Sequence, residues 1–575
     1  MKDLLFISKR FWRHRWLLLC AAILTAVSCA AELALPGIMA DIVNKGLLER
    51  RIEAVRTGST AMLVTVFVLG LAGFGTFMTC AVASERFAME LREELYGKIT
   101  ALSVGQVESI GAGPLITRLT GDTAVCAALA QVLLQMLLEP VLLLIGGVVM
   151  MWRISHAFDM VFLAFVVLQS ALVLLFVHKT MPLFLNALEK NDKMNGFLQS
   201  ELRCLRLIKA YGGETRESAA FDGFAEDIRA AQMGVRRWTA FFDPLILLVV
   251  NSAVACILLL SGSRALGGTL RAGSILEAMT YAEQVLLSIV VSGRLFSQVA
   301  EAKASAGRLA EVLRAEPTVT GGEMPVPPGG IGRLVLRNVS FRYPSGGAPV
   351  LSELDLTFER GVFVAVCGSA GCGKTTLSRL LCRVCDPTSG QILADGTDLR
   401  SYRLDGVRRS IAVVEKNMDI IEGTIAENIF YGRADITKRD VEWAMEITGA
   451  VELVRALPEG WDAWASSLGV SLSGGDKQRL ALARALAGRP SLLIMDDCTS
   501  SLDYATERDV LRSIRKNCPD LTVILMTQRI LSAQGADLVV CIGEDGRARS
   551  GTAEALKKSS PLFAMLCRSQ EEISC

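Results

Sequence analysis

The sequence predicts a polytopic α-helical membrane domain followed by an α/β domain built around a phosphate-binding loop. Three observations lead there. The 575-residue chain is 51% hydrophobic and carries a formal net charge of only +1, with a mean hydropathy of +0.41, so it must place apolar surface somewhere other than a water-soluble core. Its first half holds six apolar runs long enough to cross a bilayer core, which takes about 20 residues each. Its second half alternates short β-rich runs with helical ones around the string GSAGCGKT at 368–375, the pattern of a mainly parallel sheet wrapped by helices.

The membrane domain is read as residues 1–315, with spans near 16–43, 59–84, 132–152, 160–177, 244–262 and 275–296. Lys9, Arg10, Arg13 and Arg15 precede the first apolar run without a small-residue cleavage pattern, which marks a retained anchor. Between the second and third spans, and again between the fourth and fifth, lie long polar stretches rich in Arg, Lys and Glu at helical spacing; the other connections are short. That alternation puts the N-terminus, both long stretches and the C-terminal half on one side of the membrane. The basic N-terminus supports this being the cytosolic side, although Arg50, Arg51 and Arg56 in the first outer loop run against the positive-inside tendency, so the orientation rests more on the phosphate-binding half, which needs cytosolic nucleotide.

Residues 316–330, EPTVTGGEMPVPPGG, are dense in Pro and Gly and read as a linker. From Ile331 to the end, the runs LVLRNVSF, GVFVAVCG, SIAVVEK, SLLIMDD, LTVILMTQ and DLVVCIG are the strands of the second domain, 331–575. The near-neutral charge argues against a nucleic-acid partner, which calls for a strong basic excess on at least one domain. The fifteen cysteines are scattered, and the closest pair, Cys382 and Cys385, sits in a helical run on the cytosolic side. They read as small buried hydrophobes; no second ligand cluster accompanies them.

GSAGCGKT follows the apolar run VFVAVC and precedes the helical run TLSRLLCRV, the strand and helix context that G-x-x-x-x-G-K-[ST] requires. Backbone N–H groups of Gly368, Ser369, Ala370, Gly371, Cys372 and Gly373, with Thr376 at the helix start, are placed to wrap phosphate oxygens. Lys374 reaches the outer phosphates, and the Thr375 hydroxyl is a magnesium ligand. A second apolar strand ends in Asp496 and Asp497, and Asp496 is placed to hold the same Mg2+. LSGGDKQR at 472–479 opens a helix some way before it, and Ser473, Gly474 and Gly475 offer another anion-binding helix start. A phosphate loop alone permits many nucleotide hydrolases. The order of phosphate loop, LSGG and aspartate-ended strand is far more specific.

On these motifs the chain resembles the ATP-binding-cassette family, and more narrowly the exporter-type half-transporters whose membrane and ATPase domains are fused. FRYP places Tyr343 where the family stacks adenine, and CTSSLD puts Asp503 in the loop that meets the partner subunit. Asp386 to Gly396 and Glu422 to Ile429 match further family stretches. In the membrane half, Pro36 with DIVNKG, TRLTGD (117–122) and LRLIKAYGGE (205–214) resemble the first helix and the two cytosolic extensions. The resemblance implies an ATPase-coupled, multi-pass protein of the bacterial cytoplasmic membrane, surrounded by membrane lipid, with ATP and Mg2+ as cofactors. The long loops would then be intracellular helices ending in short coupling segments that press on the ATPase domains.

Four positions depart from the family. The catalytic glutamate is Asp497, one methylene shorter, which withdraws the carboxylate by about 1.5 Å from the attacking water. The switch histidine is Gln528, an amide that can hydrogen-bond a phosphate but cannot become cationic. The glutamine of the loop that senses magnesium is Lys416, and a glutamate before LSGG is replaced by Ser467. Lys416, Asp497 and Gln528 converge on one site and one function, so the site is expected to bind ATP while being impaired in hydrolysis. LSGG is nearly intact, with Asp476 for the usual glutamine. Because the family sandwiches ATP between the phosphate loop of one domain and the LSGG of another, the expected partner is a non-identical half-transporter with intact catalytic residues.

Glu32, Glu139, Glu277, Glu283 and Arg294 fall in or near predicted spans, where ionisable groups face a cavity or a partner. An acidic cavity would favour cationic or amphipathic cargo; structural pairs such as Glu283 with Arg294, or a kink at Glu139–Pro140, are the competing reading. Export of an amphipathic small molecule, lipid or peptide is the leading expectation. Uptake of the siderophore type by the same architecture, and a non-transporting ATP-binding regulator, remain alternatives.

Overall fold

The computed structural model describes residues 2–154, 156–266, 271–293, 295–344, 346–416, 420–433, 435–465 and 472–571. Arg294 and Ser467 lie outside the described residues. The chain divides into two compact units, one of residues 1–100 and 112–315, the other of residues 101–111 and 316–575.

Among the described residues of the first unit, six helical stretches are long and apolar enough to cross a membrane: Lys2–Leu48, Ile52–Ala101, Ala112–Ile154, Met160–Tyr211, Glu214–Ser261 and Ala272–Arg314. Three uninterrupted helices, Ile52–Ala101, His156–Tyr211 and Glu214–Leu266, hold 50, 56 and 53 residues. At 1.5 Å per residue each runs about 75 to 85 Å, against a hydrocarbon core of about 30 Å. The surplus is the polar sequence between spans, which continues the same helices into water rather than forming separate elements. Pro36, Pro182 and Pro244 lie inside helices. Glu139 and Pro140 follow a π-helical turn, Leu134–Leu138, a local widening that relieves the hydrogen bond a proline cannot make.

The two cytosolic extensions end differently. TRLTGD is clamped to the helix Leu295–Arg314: Arg118 donates to Glu311 at 2.7 Å, and buried Asp122 accepts from Arg308 at 2.8 and 2.5 Å. The stretch around LRLIKAYGGE instead leaves Leu202, Leu205, Leu207 and Tyr211 exposed, with Gly212 at φ +62° turning the chain and Lys209 paired to Glu214 at 2.9 Å.

The second unit is organised by a six-stranded sheet in the order Ala548–Gly551, Leu538–Ile542, Phe363–Cys367, Thr522–Met526, Leu492–Asp496, Ile411–Glu415. All neighbours are parallel except the first pair. Strands Phe363–Cys367, Leu492–Asp496 and Thr522–Met526 are buried at every residue, as expected of parallel strands covered on both faces. A four-stranded antiparallel sheet containing Leu334–Phe341 and Leu351–Phe358 packs into the same core as the phosphate-loop helix Lys374–Leu381.

Segment 316–330 is not a loose tether. Gly322 N–H donates to Tyr402 O, Met324 N–H to Ser401 O, and Arg403 N–H back to Met324 O, at 2.8 to 3.1 Å. A Cβ at Gly322 would stand 2.1 Å from Ser401 O, so only glycine fits. The short helix Val104–Ile110 also belongs to this unit: Gln106 donates to Glu316 O at 2.9 Å, Thr318 to Ser103 Oγ at 2.8 Å, and Glu108 meets Arg379 at 3.3 Å.

Candidate nucleotide site

Strand register brings the site together. Glu415 pairs with Asp496, Asp496 with Met526, and Met526 with Val366, so the residues just beyond each strand emerge in one row at the C-terminal edge of the sheet. That edge is where parallel α/β sheets bind ligands. The cavity there has a volume of about 560 Å³ and is lined by Tyr343, by Ala370, Gly371 and Gly373 to Thr376 of the loop, and by Lys416, Asp496, Asp497 and Gln528.

One wall is the phosphate loop. Gly373 precedes the helix Lys374–Leu381 at φ +102°, and a Cβ on it would lie 2.7 Å from Leu351, so the turn is closed to other residues. Lys374 is 9% exposed, and its ammonium donates to the carbonyls of Gly368 and Ser369, each at 2.9 Å, with Cys372 Sγ at 3.8 Å. A buried cation held by neutral carbonyls is matched to an arriving polyanion. Tyr343 is half-buried at the rim; its hydroxyl is 3.1 Å from Thr376 Oγ1, and Phe341 supports its ring edge-on at 5.0 Å.

Asp496 is 5% exposed at the end of its strand. Burial pushes its carboxyl above the usual range, against a hydrogen bond from Thr375, and the charge of Asp497 raises it further. A buried carboxylate beside a hydroxyl, destabilised as an anion, fits a divalent cation held by Thr375 and Asp496.

The opposite wall carries the three altered positions. Asp497 has a left-handed backbone, φ +51°, pinned by its N–H bond to Met526 O at 2.9 Å. Its carboxylate forms an ion pair with Lys416 Nζ at 3.3 Å. This pair joins residues far apart in sequence, and spacing gives no hint of it. It exists because Glu415 and Asp496 are register partners, so their successors lie side by side.

Ser473, Gly474 and Gly475 do not line this cavity. They begin the helix Gly474–Ala487, where Ser473 and Asp476 form a reciprocal capping box: Ser473 Oγ donates to Asp476 at 2.6 Å and accepts from its N–H at 3.2 Å. Burial works against the Asp476 carboxylate, yet hydrogen bonds from Ser473 and Arg479 hold it below the usual range. The usual glutamine is thus replaced by a group that keeps its charge and engages the Ser473 hydroxyl. Asp503 caps the helix Tyr504–Asn517 through Thr506 N–H at 2.8 Å.

Two supporting residues escaped sequence reasoning. Glu507, 1% exposed, accepts from Thr499 at 2.8 Å, from Ser532 at 3.0 Å and from Arg529, while Arg529 also donates to the carbonyls of Ser500 and Leu502 at 2.9 and 3.0 Å. One buried carboxylate thereby ties the loop after Asp497 to the segment carrying Gln528. Gln478, 3% exposed, joins the LSGG helix to Ser501 through two bonds of 3.1 and 3.2 Å. In sequence both look like ordinary polar positions on amphipathic helices.

In the membrane unit, Glu277 packs where a Cβ on Gly37 would be 3.4 Å from its Oε1, and Tyr281 beside it donates to Leu33 O at 2.7 Å. Glu32 and Glu139 are half-buried, whereas Glu283 is exposed.

A phosphate-loop sheet domain following six membrane-crossing helices defines an ATP-binding half-transporter. The comparisons with known proteins agree. The family profile described as ABC transporter transmembrane region matches residues 18–289, and that described as ABC transporter matches residues 351–500. The chain belongs to the ABC transporters, as a fused, integral multi-pass half-transporter of exporter fold. It is 29% identical over 573 residues to an uncharacterized ABC transporter ATP-binding protein of Mycobacterium tuberculosis, covering 97% of this chain and 96% of the relative. It is 28% identical over 559 residues to the ATP-dependent lipid A-core flippase of Chromobacterium violaceum, covering 97% and 94%. The solved structure of a bacterial Atm1-family ABC exporter with ATP bound superposes with a TM-score of 0.84 at 22% identity, over 97% of this chain and 99% of that one.

Proposed function

We propose that this chain is the hydrolytically impaired subunit of a heterodimeric ATP-driven exporter. It binds ATP with Mg2+ at its own phosphate loop and lends Ser473, Gly474 and Gly475 to the active site of a non-identical partner carrying the intact catalytic residues. The observation that carries this reading is the Lys416–Asp497 ion pair. A general base must present a free carboxylate to the attacking water. Here the carboxylate at that position is both shortened and engaged by an ammonium, and the neighbouring Gln528 has no cationic form.

Two further features support a partner. The LSGG residues stand outside the chain's own cavity, and Leu202, Leu205, Leu207 and Tyr211 leave an apolar tip exposed on the second cytosolic extension, beyond the stretch that membrane lipid would cover. For cargo, half-buried Glu32, Glu139 and Glu277 favour a cationic or amphipathic molecule, with lipids and peptides as the chemical classes to try first.

The test is photolabelling of the transporter purified from its native membrane, using an azido-ATP carrying label on either the α- or the γ-phosphate. Equal retention of both labels on this chain, with a second ABC half-transporter present in equal amount, is the expected result. Loss of the γ-label from this chain at the rate of bulk turnover overturns the impaired-site reading, and recovery of this chain as its only ABC subunit overturns the heterodimer.

A further inference from the structure

The Lys416–Asp497 pair disables a base, but it also adds a cation to a wall of the nucleotide cavity. Lys416 lines the same cavity as Lys374, Thr375 and Asp496. Its side chain is 62% exposed, and an ammonium with three donors on a flexible four-carbon stem can serve two oxygen partners at once. With Lys374 buried in the loop on one wall and Lys416 on the other, the cavity presents two ammonium groups to an incoming polyphosphate. A bound magnesium ion would stand near Asp496, within a residue of the carboxylate that Lys416 already neutralises. Two cations serving the same oxygens compete: each lowers the benefit of the other.

We infer that Lys416 takes over part of the charge-neutralising role of magnesium, so that this chain's site holds ATP even when divalent metal is removed. The inference rests on the impaired-site reading, since a site that keeps ATP without metal is a holding site rather than a turnover site. On nucleotide arrival, the Lys416 ammonium, which has three donors, adds phosphate oxygens to its bond with Asp497, so the carboxylate stays engaged. The site then has two bound forms, one with magnesium and one in which Lys416 alone partners the outer phosphates with Lys374. Its ATP occupancy thereby becomes insensitive to swings in free magnesium.

The experiment measures binding of radiolabelled ATP to the full-length chain in lipid nanodiscs, in excess Mg2+ and in excess EDTA. The signal abolished by Lys374→Ala defines this chain's phosphate-loop site. The parent and Lys416→Arg are expected to bind in EDTA within about tenfold of their own affinity in Mg2+, whereas Lys416→Gln loses well over tenfold in EDTA relative to its own affinity in Mg2+. Lys416 is exposed, so the glutamine variant should fold, and a thermal unfolding midpoint equal to the parent's reports that it has. Equal sensitivity of the parent and Lys416→Gln to EDTA, whether both fall or both persist, overturns the inference. Release of labelled phosphate, measured on the same samples, separates the two readings. Metal-dependent binding without turnover removes only this inference, and metal-independent binding with brisk turnover in Mg2+ removes only the impaired-site reading.

Discussion

The two walls of the nucleotide cavity differ in what they have kept. On the phosphate-loop wall, a left-handed glycine, a buried lysine held by two carbonyls, and a hydroxyl beside a buried aspartate are arranged for a polyanion and its metal. On the facing wall, the side chains that would act on a water molecule are changed, and Asp497 and Lys416 bind each other. Decay by drift would be expected to loosen the frame around unused residues. The frame is intact: Glu507 still clasps Arg529, Thr499 and Ser532, and Gln478 still holds Ser501. The difference teaches that binding and catalysis can be separated in such a site by altering side chains on one wall while the backbone that aims them is preserved.

That comparison breaks most severely if the frame is dispensable. Glu507→Ala would leave the Arg529 guanidinium without its carboxylate and is expected to cost about 3 kcal/mol of stability in the ATPase unit. Chemical denaturation followed by tryptophan fluorescence checks it, and a loss below measurement error would mean the clasp contributes nothing. Next in size is the retained wall itself: Lys374→Ala should weaken ATP binding at this chain's site by about a hundredfold, because a buried ammonium contacting phosphate is among the strongest single donors. Labelled-ATP binding decides it, and unchanged affinity would remove the phosphate loop from the argument.

A smaller effect is expected in trans. Ser473→Ala should reduce the partner site's hydrolysis by about tenfold, the scale of one lost hydrogen bond to a charged oxygen. The same change removes a helix cap, worth about 1 kcal/mol, so thermal stability must be read alongside turnover. Turnover that is unchanged while stability falls would show that Ser473 only caps its helix and that the charge of Asp476 has taken the motif out of use.

Much of this was legible in the sequence, and what was not has a common physical cause. The phosphate loop, the aspartate-ended strand and LSGG are local strings whose chemistry depends on spacing, so they could be read directly, as could six apolar runs of membrane length. The Lys416–Asp497 pair could not, because it depends on which strands are neighbours and in what register. Glu507 escaped for the opposite reason: its neighbourhood is an ordinary amphipathic helix, and only burial to 1% exposure reveals it as a clasp. The placement of residues 101–111 with the ATPase unit is likewise tertiary. A capped seven-residue helix between two long ones carries no sign of its own of which unit it will join; only the family resemblance, which implies short coupling segments against the ATPase domains, pointed there.

The smallest effect is expected from the change that looks most like a repair. Asp497→Glu restores the carboxylate's reach, and a positioned general base is worth about 10² to 10⁴ in rate. Yet a glutamate here would still meet Lys416 across the register pair Glu415–Asp496, and the longer side chain improves its access to that ammonium as much as to water. Gln528, on the same cavity, would still lack a cationic form. Groups that act as a unit are non-additive on removal, and the same coupling should hold on repair. Asp497→Glu alone is therefore expected to raise hydrolysis at this site by less than about twofold, whereas the triple change adding Lys416→Gln and Gln528→His should raise it by about a hundredfold or more. The measurement requires a heterodimer whose partner site has been silenced by a glutamate-to-glutamine change. Near-normal turnover from the single change would show that one methylene, and not the engagement of the whole wall, separates holding ATP from hydrolysing it.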